Sequence, residues 1–247
     1  MQIGLFSLLD LIALAGFAVA WGGYAAIVEW TRHGGTGLNG RMVAYRETWM
    51  RRMLAREQRM VDMQIMAALQ NGTAFFATTS LFAIGGALTL LRSSNEMIVI
   101  ASHLPLGIQN SVGLWEVKSI GLTVVFVYAF FKFAWAYRLY NYVAIMLGAT
   151  PFPADKDTPE AEDHVLRTAH LFTTAGRHFN RGQRAFFFAL GYLGWFAGPI
   201  PFMISTAAVL VVMWRRQFAS DSLRAITGED QRASGAGNSA DERPVSR

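Results

Sequence analysis

Residues 65–91 read IMAALQNGTAFFATTSLFAIGGALTLL, a run that contains no charged side chain. About 20 predominantly apolar residues are enough for an α-helix to cross the hydrocarbon core of a bilayer. A membrane-spanning strand would alternate apolar and polar residues with a period of two, and this run does not. The run therefore predicts a transmembrane helix and, with it, a membrane protein.

The composition of the whole chain agrees with a membrane protein. Of the 247 residues, 53% are hydrophobic and only 16% are charged, whereas a soluble domain is about 25% charged. The isoelectric point near 9.8 favours contact with anionic lipid over nucleic acid in so apolar a chain. The absence of cysteine excludes disulfides, a thiol nucleophile and cysteine-ligated metal sites.

Three further apolar stretches are long enough to span a membrane. They occupy residues 4–28, 119–145 and 185–213, and Gly198, Pro199 and Pro201 interrupt the last one. The predicted fold class is all-α: an integral membrane bundle of four transmembrane helices with basic amphipathic helical extensions on the cytoplasmic side. We expect one helical membrane domain over residues 1–216.

The distribution of basic residues predicts the orientation of the bundle. Segments 29–63 and 138–184 are rich in arginine, whereas 92–118 contains only one arginine and one lysine. Because basic loops stay in the cytoplasm, the first two segments are expected there, and the N-terminus and 92–118 outside. Residues 217–247 have too little apolar surface to fold, so a disordered tail is expected.

The fourth apolar stretch conflicts with that orientation. Arg215 and Arg216 follow it, and four complete crossings would place both arginines outside. Either 185–213 crosses and breaks the rule, which we favour, or the chain turns back at Gly198–Pro201 as a re-entrant hairpin. Each half of such a hairpin would be about 13 residues, which is short for a crossing.

One lysine stands among aromatic rings in FFKFAWAYRLYNY, residues 130–142. Lys132 is expected to extend its ammonium towards the headgroups, with a polar path inside the membrane as the alternative. Arg138 and Asn141 share a helix face, and Lys132 lies about 120° away around the same helix.

A basic stripe precedes the fourth apolar stretch. Arg177, Asn180, Arg181 and Arg184 recur with helical spacing and predict one face of an amphipathic helix. That face is expected to lie on anionic headgroups. The alternative is an anion-binding site between the stripe and Arg138 and Asn141.

The second apolar stretch carries polar side chains at Gln70, Asn71 and Thr78. Hydrogen bonds between helices are the expected role, and a polar conduit is the alternative. Asp157, Glu160 and His164 have a spacing that a metal site could use, but they fit a helix start better. No metal site and no cofactor are predicted.

Four stretches resemble a family of bacterial and plant integral membrane proteins, the "domain of unknown function 599" family. They are RETWMRRMLARE (46–57), NGTAFFATTS (71–80), FFKFAWAYRLYNY (130–142) and GRHFNRGQRAFFF (176–188). The resemblance covers roughly residues 10–215. It implies a helical membrane protein with several spans and implies no activity, substrate or cofactor.

The sequence favours binding over catalysis. It contains no phosphate-binding loop, hydrolase elbow, zinc-protease motif or dinucleotide fingerprint, and catalytic residues stay unassigned. We predict a non-catalytic scaffold or partner of membrane components, with a basic cytoplasmic face that binds anions or lipid headgroups. The alternatives are a small anion transporter or channel with a basic cytoplasmic mouth, and a membrane enzyme acting on a lipid or phosphorylated headgroup.

The expected partners follow from the same features. They are the lipid bilayer and its anionic headgroups, together with either a membrane-protein partner or further copies of the chain, and not nucleic acid. The absence of an organellar presequence leads us to expect the bacterial inner membrane.

Overall fold

The computed structural model describes residues 2–3, 5–30, 37–96, 99 and 111–227. The helices whose two ends both lie within those residues are α1 (Leu8–Trp30), α2 (Leu38–Leu54), α3 (Met60–Arg92), α4 (Val112–Gly148), α5 (Pro159–Tyr192), α6 (Pro199–Phe218) and α7 (Asp221–Thr227). Short 3₁₀ turns lie at Pro153–Asp155 and Leu193–Ala197, and a small antiparallel pairing joins β1 (Gln2–Ile3) to β2 (Phe6–Ser7). The predicted all-α class is confirmed.

Three of these helices, α1, α3 and α4, are long and apolar enough to cross a membrane. They overlap the predicted spans 4–28, 65–91 and 119–145. Helix α3 has 33 residues and α4 has 37, so at 1.5 Å per residue they are about 50 and 55 Å long. Both are longer than the roughly 30 Å hydrocarbon core, so each helix has several turns more than a crossing requires.

The single helix expected over residues 185–213 is corrected by the structure. Helix α5 ends at Tyr192, the 3₁₀ turn follows, and α6 then runs back along the last turns of α5. The Ser205 hydroxyl donates to the Gly191 carbonyl at 2.5 Å. The guanidinium of Arg216 lies 5.3 Å from the centre of the Phe187 ring. The two helices are therefore antiparallel.

Gly198 makes the reversal between α5 and α6 feasible. Its φ of +123° lies in a region that only glycine adopts without strain. Pro199 then opens α6, where its fixed φ and missing N–H suit the first helical position. The sequence signals at this point thus end one helix and start another.

The reversal brings the end of α6 back beside the end of α1. The Tyr24 hydroxyl donates to the Met213 carbonyl at 3.1 Å, and the Asn39 amide donates to the Gln217 side chain at 3.0 Å. Arg215 and Arg216 consequently lie at the same end of the bundle as the basic segment that follows α1. A fourth full crossing would separate Arg215 and Arg216 from the other basic segments, and the observed reversal does not.

Part of the expected disordered tail is helical. Residues 217 and 218 belong to α6, and Asp221–Thr227 forms α7. Residues 228–247 lie outside the described part of the chain.

The two amphipathic helices that the sequence places beside the membrane pack on each other. Met50 and Met53 of α2 are fully buried in a cluster with the end of α4 and the first half of α5. The exposed ion pair between Arg51 and Glu162 spans 2.6 Å, and its hydrogen bonds raise the pKa of Arg51. Exposed pairs contribute little to stability, so the apolar cluster holds these helices together.

The centre of the bundle is an aromatic cluster shared by α3, α4 and α5. Phe133 is fully buried and its ring lies 5.3 Å from that of Phe76 and 5.6 Å from that of Phe179. Gly182 of α5 faces the Phe133 ring so closely that a Cβ atom there would lie 2.7 Å from it. Because glycine has no side chain, α4 and α5 can approach each other closely at residue 182.

Gly182→Ala is therefore expected to destabilise the protein. Forcing a methyl group into a packed interior costs about 1–3 kcal/mol, which should lower the midpoint of thermal unfolding in detergent. Gly72→Ala is the matched control, because a Cβ on Gly72 meets nothing within 4 Å and alanine favours the helix by up to about 1 kcal/mol. A midpoint for Gly182→Ala at or above that of Gly72→Ala would contradict this packing.

Candidate functional site

A cleft of about 360 Å³ opens where the end of α1, the start of α2 and the middle of α5 meet. We call it the basic cleft, because four arginines and one glutamate contribute to its wall. Its lining residues are Val28, Glu29, Trp30, Asn39, Gly40, Val43, Arg46, Arg177, Asn180, Arg181 and Arg184.

Helix α5 supplies most of the polar groups in the basic cleft. Arg177, Asn180, Arg181 and Arg184 are spaced by three, four and seven residues, and such residues share one face of a helix. All four predicted stripe residues line this cleft.

Glu29, in the last turn of α1, binds two of these arginines. Arg181 donates to it from Nη2 at 2.6 Å and from Nε at 3.1 Å, and Arg184 forms a second ion pair with the same carboxylate. The hydrogen bonds that Arg181 donates to Glu29 raise the pKa of Arg181. Paired charges of this kind tie α1 to α5, and Glu29 is not available as a free base.

Arg46 of α2 is the one arginine of the basic cleft that the sequence analysis did not name as a site residue. Its guanidinium lies 5.2 Å from the centre of the Phe172 ring and crosses α5 at Gly176, where a Cβ atom would sit 2.7 Å from Nη2. Burial lowers the pKa of Arg46, and the nearby positive charge of Arg177 adds to that effect, while Tyr140 opposes it.

Within the described residues, neither Arg46 nor Arg177 forms an ion pair with a carboxylate. Arg177 is exposed, whereas the guanidinium of Arg46 is partly removed from water without a counter-charge, which carries a desolvation cost. Since Glu29 already serves two arginines, the cleft keeps a net positive charge. The arrangement can therefore receive an anion with several hydrogen-bond acceptors, such as a phosphate group.

The predicted site residues of α4 lie elsewhere. The Lys132 ammonium lies 5.0 Å from the centre of the Tyr128 ring, and the Arg138 Nε donates to the exposed Tyr142 hydroxyl at 2.8 Å. Asn141 accepts a hydrogen bond from Gln70 of α3 at 2.8 Å. None of the three predicted residues lines the basic cleft.

The polar residues of α3 differ in what they contact. Gln70 forms the hydrogen bond to α4 just described, which links two membrane-type helices. Asn71 and Thr78 are exposed on the outer surface of α3. Thr73 and Ser80 donate to carbonyls of their own helix.

His164, considered in the sequence as a metal ligand, lies at the corner between α4 and α5. Its Nε2 is 3.0 Å from the Met146 carbonyl oxygen and 3.3 Å from the Thr150 hydroxyl. In the part of the chain that the structure describes, no group of three or more His, Asp or Glu side chains is arranged to hold a metal ion.

Comparison with known proteins identifies the family of this chain. A family model described as "Protein of unknown function, DUF599" matches residues 12–222. The chain belongs to this family. The match contains all four stretches that carry the resemblance, which is thereby confirmed. No curated protein and no solved structure matches the chain.

This DUF599 protein has a second buried polar cluster at the opposite end of α1. The Asp10 carboxylate accepts from the Trp195 indole at 2.7 Å and from the Ser7 hydroxyl at 2.6 Å. Lys118 of α4 is 1% exposed, its ammonium lies 5.4 Å from the centre of the Trp195 ring, and its charge attracts Asp10. The cluster ties the turn after α5 to α1 and α4.

The sequence gives little sign of this cluster. Asp10 sits near the start of an apolar run, a position from which a carboxylate could equally reach interfacial water, and Lys118 precedes the predicted third span. Because α4 begins at Val112, Lys118 is helical and faces inwards.

Removing Asp10 alone should destabilise the fold more than removing the pair. Asp10→Asn takes a negative charge away from the buried Lys118 ammonium and replaces charge-assisted hydrogen bonds from Trp195 and Ser7 with neutral ones, at a cost of about 1–3 kcal/mol. We expect the double variant Asp10→Asn/Lys118→Met to recover much of the loss in thermal unfolding midpoint. Strictly additive effects in this double-mutant cycle would mean that the two charges do not interact.

Proposed function

We propose that this protein is a non-catalytic integral membrane protein whose basic cleft binds a phosphate-bearing anion at the cytoplasmic surface. The observation that carries the proposal is the pair of guanidinium groups, Arg46 and Arg177, that line the cleft without a carboxylate partner among the described residues. A phosphate offers three or four acceptor oxygens, and arginine forks bind it through paired hydrogen bonds.

The polar groups of the cleft support binding rather than chemistry. Arginine side chains are always charged and do not act as general acids or bases at neutral pH. The one carboxylate, Glu29, is engaged by Arg181 and Arg184. Asn39 and Asn180 add amide groups that hydrogen-bond an anion without transferring protons.

The distribution of charge supports a cytoplasmic position for the cleft. Helices α1, α3 and α4 have the length and hydropathy of membrane spans, and the arginine-rich segments lie at the cleft end of them. In our proposal the end of α5 and all of α6 insert as an additional hairpin. Arg215 and Arg216 then also obey the preference of basic residues for the cytoplasm, in the inner membrane of a bacterium.

The topology makes a prediction for reporter fusions. A green fluorescent protein fused to the C-terminus should fluoresce, and alkaline phosphatase fused there should be inactive, because α6 returns the chain to the cytoplasm. Alkaline phosphatase fused after Ser94, beyond the end of α3, should be active outside. An active phosphatase at the C-terminus would contradict the inserted hairpin.

Anion binding is tested by removing one guanidinium at a time. Arg46→Gln should weaken binding of dihexanoyl phosphatidic acid to the purified protein by about 10–100-fold, the range for losing a charged hydrogen bond of about 1.5–3 kcal/mol. Arg52→Gln is the matched control, because it removes an exposed arginine of the same helix and should change the affinity less than twofold.

Parallel titrations with inorganic phosphate separate the sources of the anion. Equal affinities for phosphate and for the short-chain lipid would assign the cleft to a free anion. Similar losses for Arg46→Gln and Arg52→Gln would mean general surface attraction and would overturn the site. Phosphate flux into proteoliposomes, lost in Arg46→Gln, would instead make the protein a transporter.

A further inference from the structure

An apolar groove of about 420 Å³ runs between α1 and α6 on the outside of the bundle. We call it the α1–α6 groove. It is lined by Val19, Ala20, Gly23, Tyr24, Ile27, Leu210, Val211, Trp214 and Arg215. Val19 and Val211 are 73% and 56% exposed, so the protein itself leaves this surface uncovered.

The α1–α6 groove ends next to the basic cleft. Ile27 lines the groove, and the next two residues of α1, Val28 and Glu29, line the cleft. A smaller space of about 80 Å³ borders both, because it shares Tyr24 with the groove and Arg184 with the cleft. From Gly23 to Glu29 the axial rise is only about 9 Å.

We propose that one anionic diacyl phospholipid occupies both spaces, with its phosphate in the basic cleft and an acyl chain in the α1–α6 groove. This inference rests on the proposed function and adds the identity of the ligand. An acyl chain matches the apolar lining, and the groove opens to the side from which a lipid enters. A free phosphate would leave the groove unexplained.

The charge of the cleft selects the headgroup. Four arginines and one glutamate leave a net positive lining, which favours a compact anionic headgroup such as phosphatidate. A choline headgroup brings a quaternary ammonium towards Arg46 and Arg177, where repulsion between like charges opposes binding. Arg215 at the end of the groove adds a further positive charge near the glycerol region.

Gly23 provides a way to close the groove without touching the cleft. A Cβ atom on Gly23 meets nothing within 4 Å, so a leucine there fits without disturbing the bundle and fills the space for the chain. Gly72 on α3 is equally open, and Gly72→Leu places the same side chain on a different lipid-facing helix. The two substitutions form a matched pair.

Native mass spectrometry of the full chain in detergent tests the proposal with three lipids. The wild type should retain dioleoyl phosphatidic acid at least tenfold better than dioleoyl phosphatidylcholine. Gly23→Leu should lower the affinity for dioleoyl phosphatidic acid about tenfold, because the acyl chain loses close contacts along the groove. The same variant should bind dihexanoyl phosphatidic acid unchanged, which also shows that it is folded. Gly72→Leu should alter neither.

The outcomes separate the groove from the cleft. If Arg46→Gln weakens the binding of both phosphatidic acids while Gly23→Leu changes the binding of neither, the anion site is supported and the acyl-chain groove is overturned. If neither phosphatidic acid depends on Arg46, the proposed function itself fails. A phosphatidic acid with a photoreactive acyl chain should label residues 210–215, and labelling confined to α3 would also overturn the groove.

Discussion

Charge pairing between helices holds α1 in this bundle. A carboxylate that leaves water without a partner costs several kcal/mol, and α1 carries one near each end. Glu29 is satisfied by Arg181 and Arg184 of α5, and Asp10 by the Trp195 indole and the nearby Lys118 charge. With both ends fixed, the apolar middle of α1 needs only to pack against its neighbours. The position of α1 in turn forms one wall of the basic cleft and one wall of the α1–α6 groove.

The same pairing explains why the cleft stays positive. Glu29 is shared by two arginines, so it has no remaining capacity for Arg46 or Arg177. Arg46 reaches the cleft only because Gly176 leaves α5 open beneath its guanidinium and Phe172 offers a ring face to it. Structural demands on α1 and α2 thus leave the basic cleft with a net positive charge.

The sequence predicts helices and their faces well, because a period of 3.6 residues is a local property. It placed the stripe from Arg177 to Arg184 on one face, and those residues line one cleft. It gave the reversal before α6 only as the less favoured alternative, a hairpin turning at Gly198–Pro201, because glycine and prolines in an apolar run are compatible with a kink, a turn or a hairpin. Only the packing of α6 on α5 and the bond from Tyr24 to Met213 decide between them.

Arg46 shows a second limit of local reasoning. It stands in a segment with several arginines, and the sequence alone does not show which of them are exposed and which are half-buried. Its spacing of four and seven residues from the buried Met50 and Met53 was a signal that it faces the interior. Lys132 and Asn141 show a further limit. Helix α4 has neighbours on several sides, so sequence spacing did not reveal which neighbour each polar side chain contacts.

The reversal at Gly198 has a consequence for the order of biosynthesis. Glu29 leaves the ribosome more than 150 residues before Arg181 and Arg184, and α6 comes later still. Glu29 therefore has no counter-charge from α5 while α1 is already being delivered to the membrane. The nascent chain must keep this carboxylate at the water interface, and the basic cleft becomes complete only when α5 docks against α1 and α2.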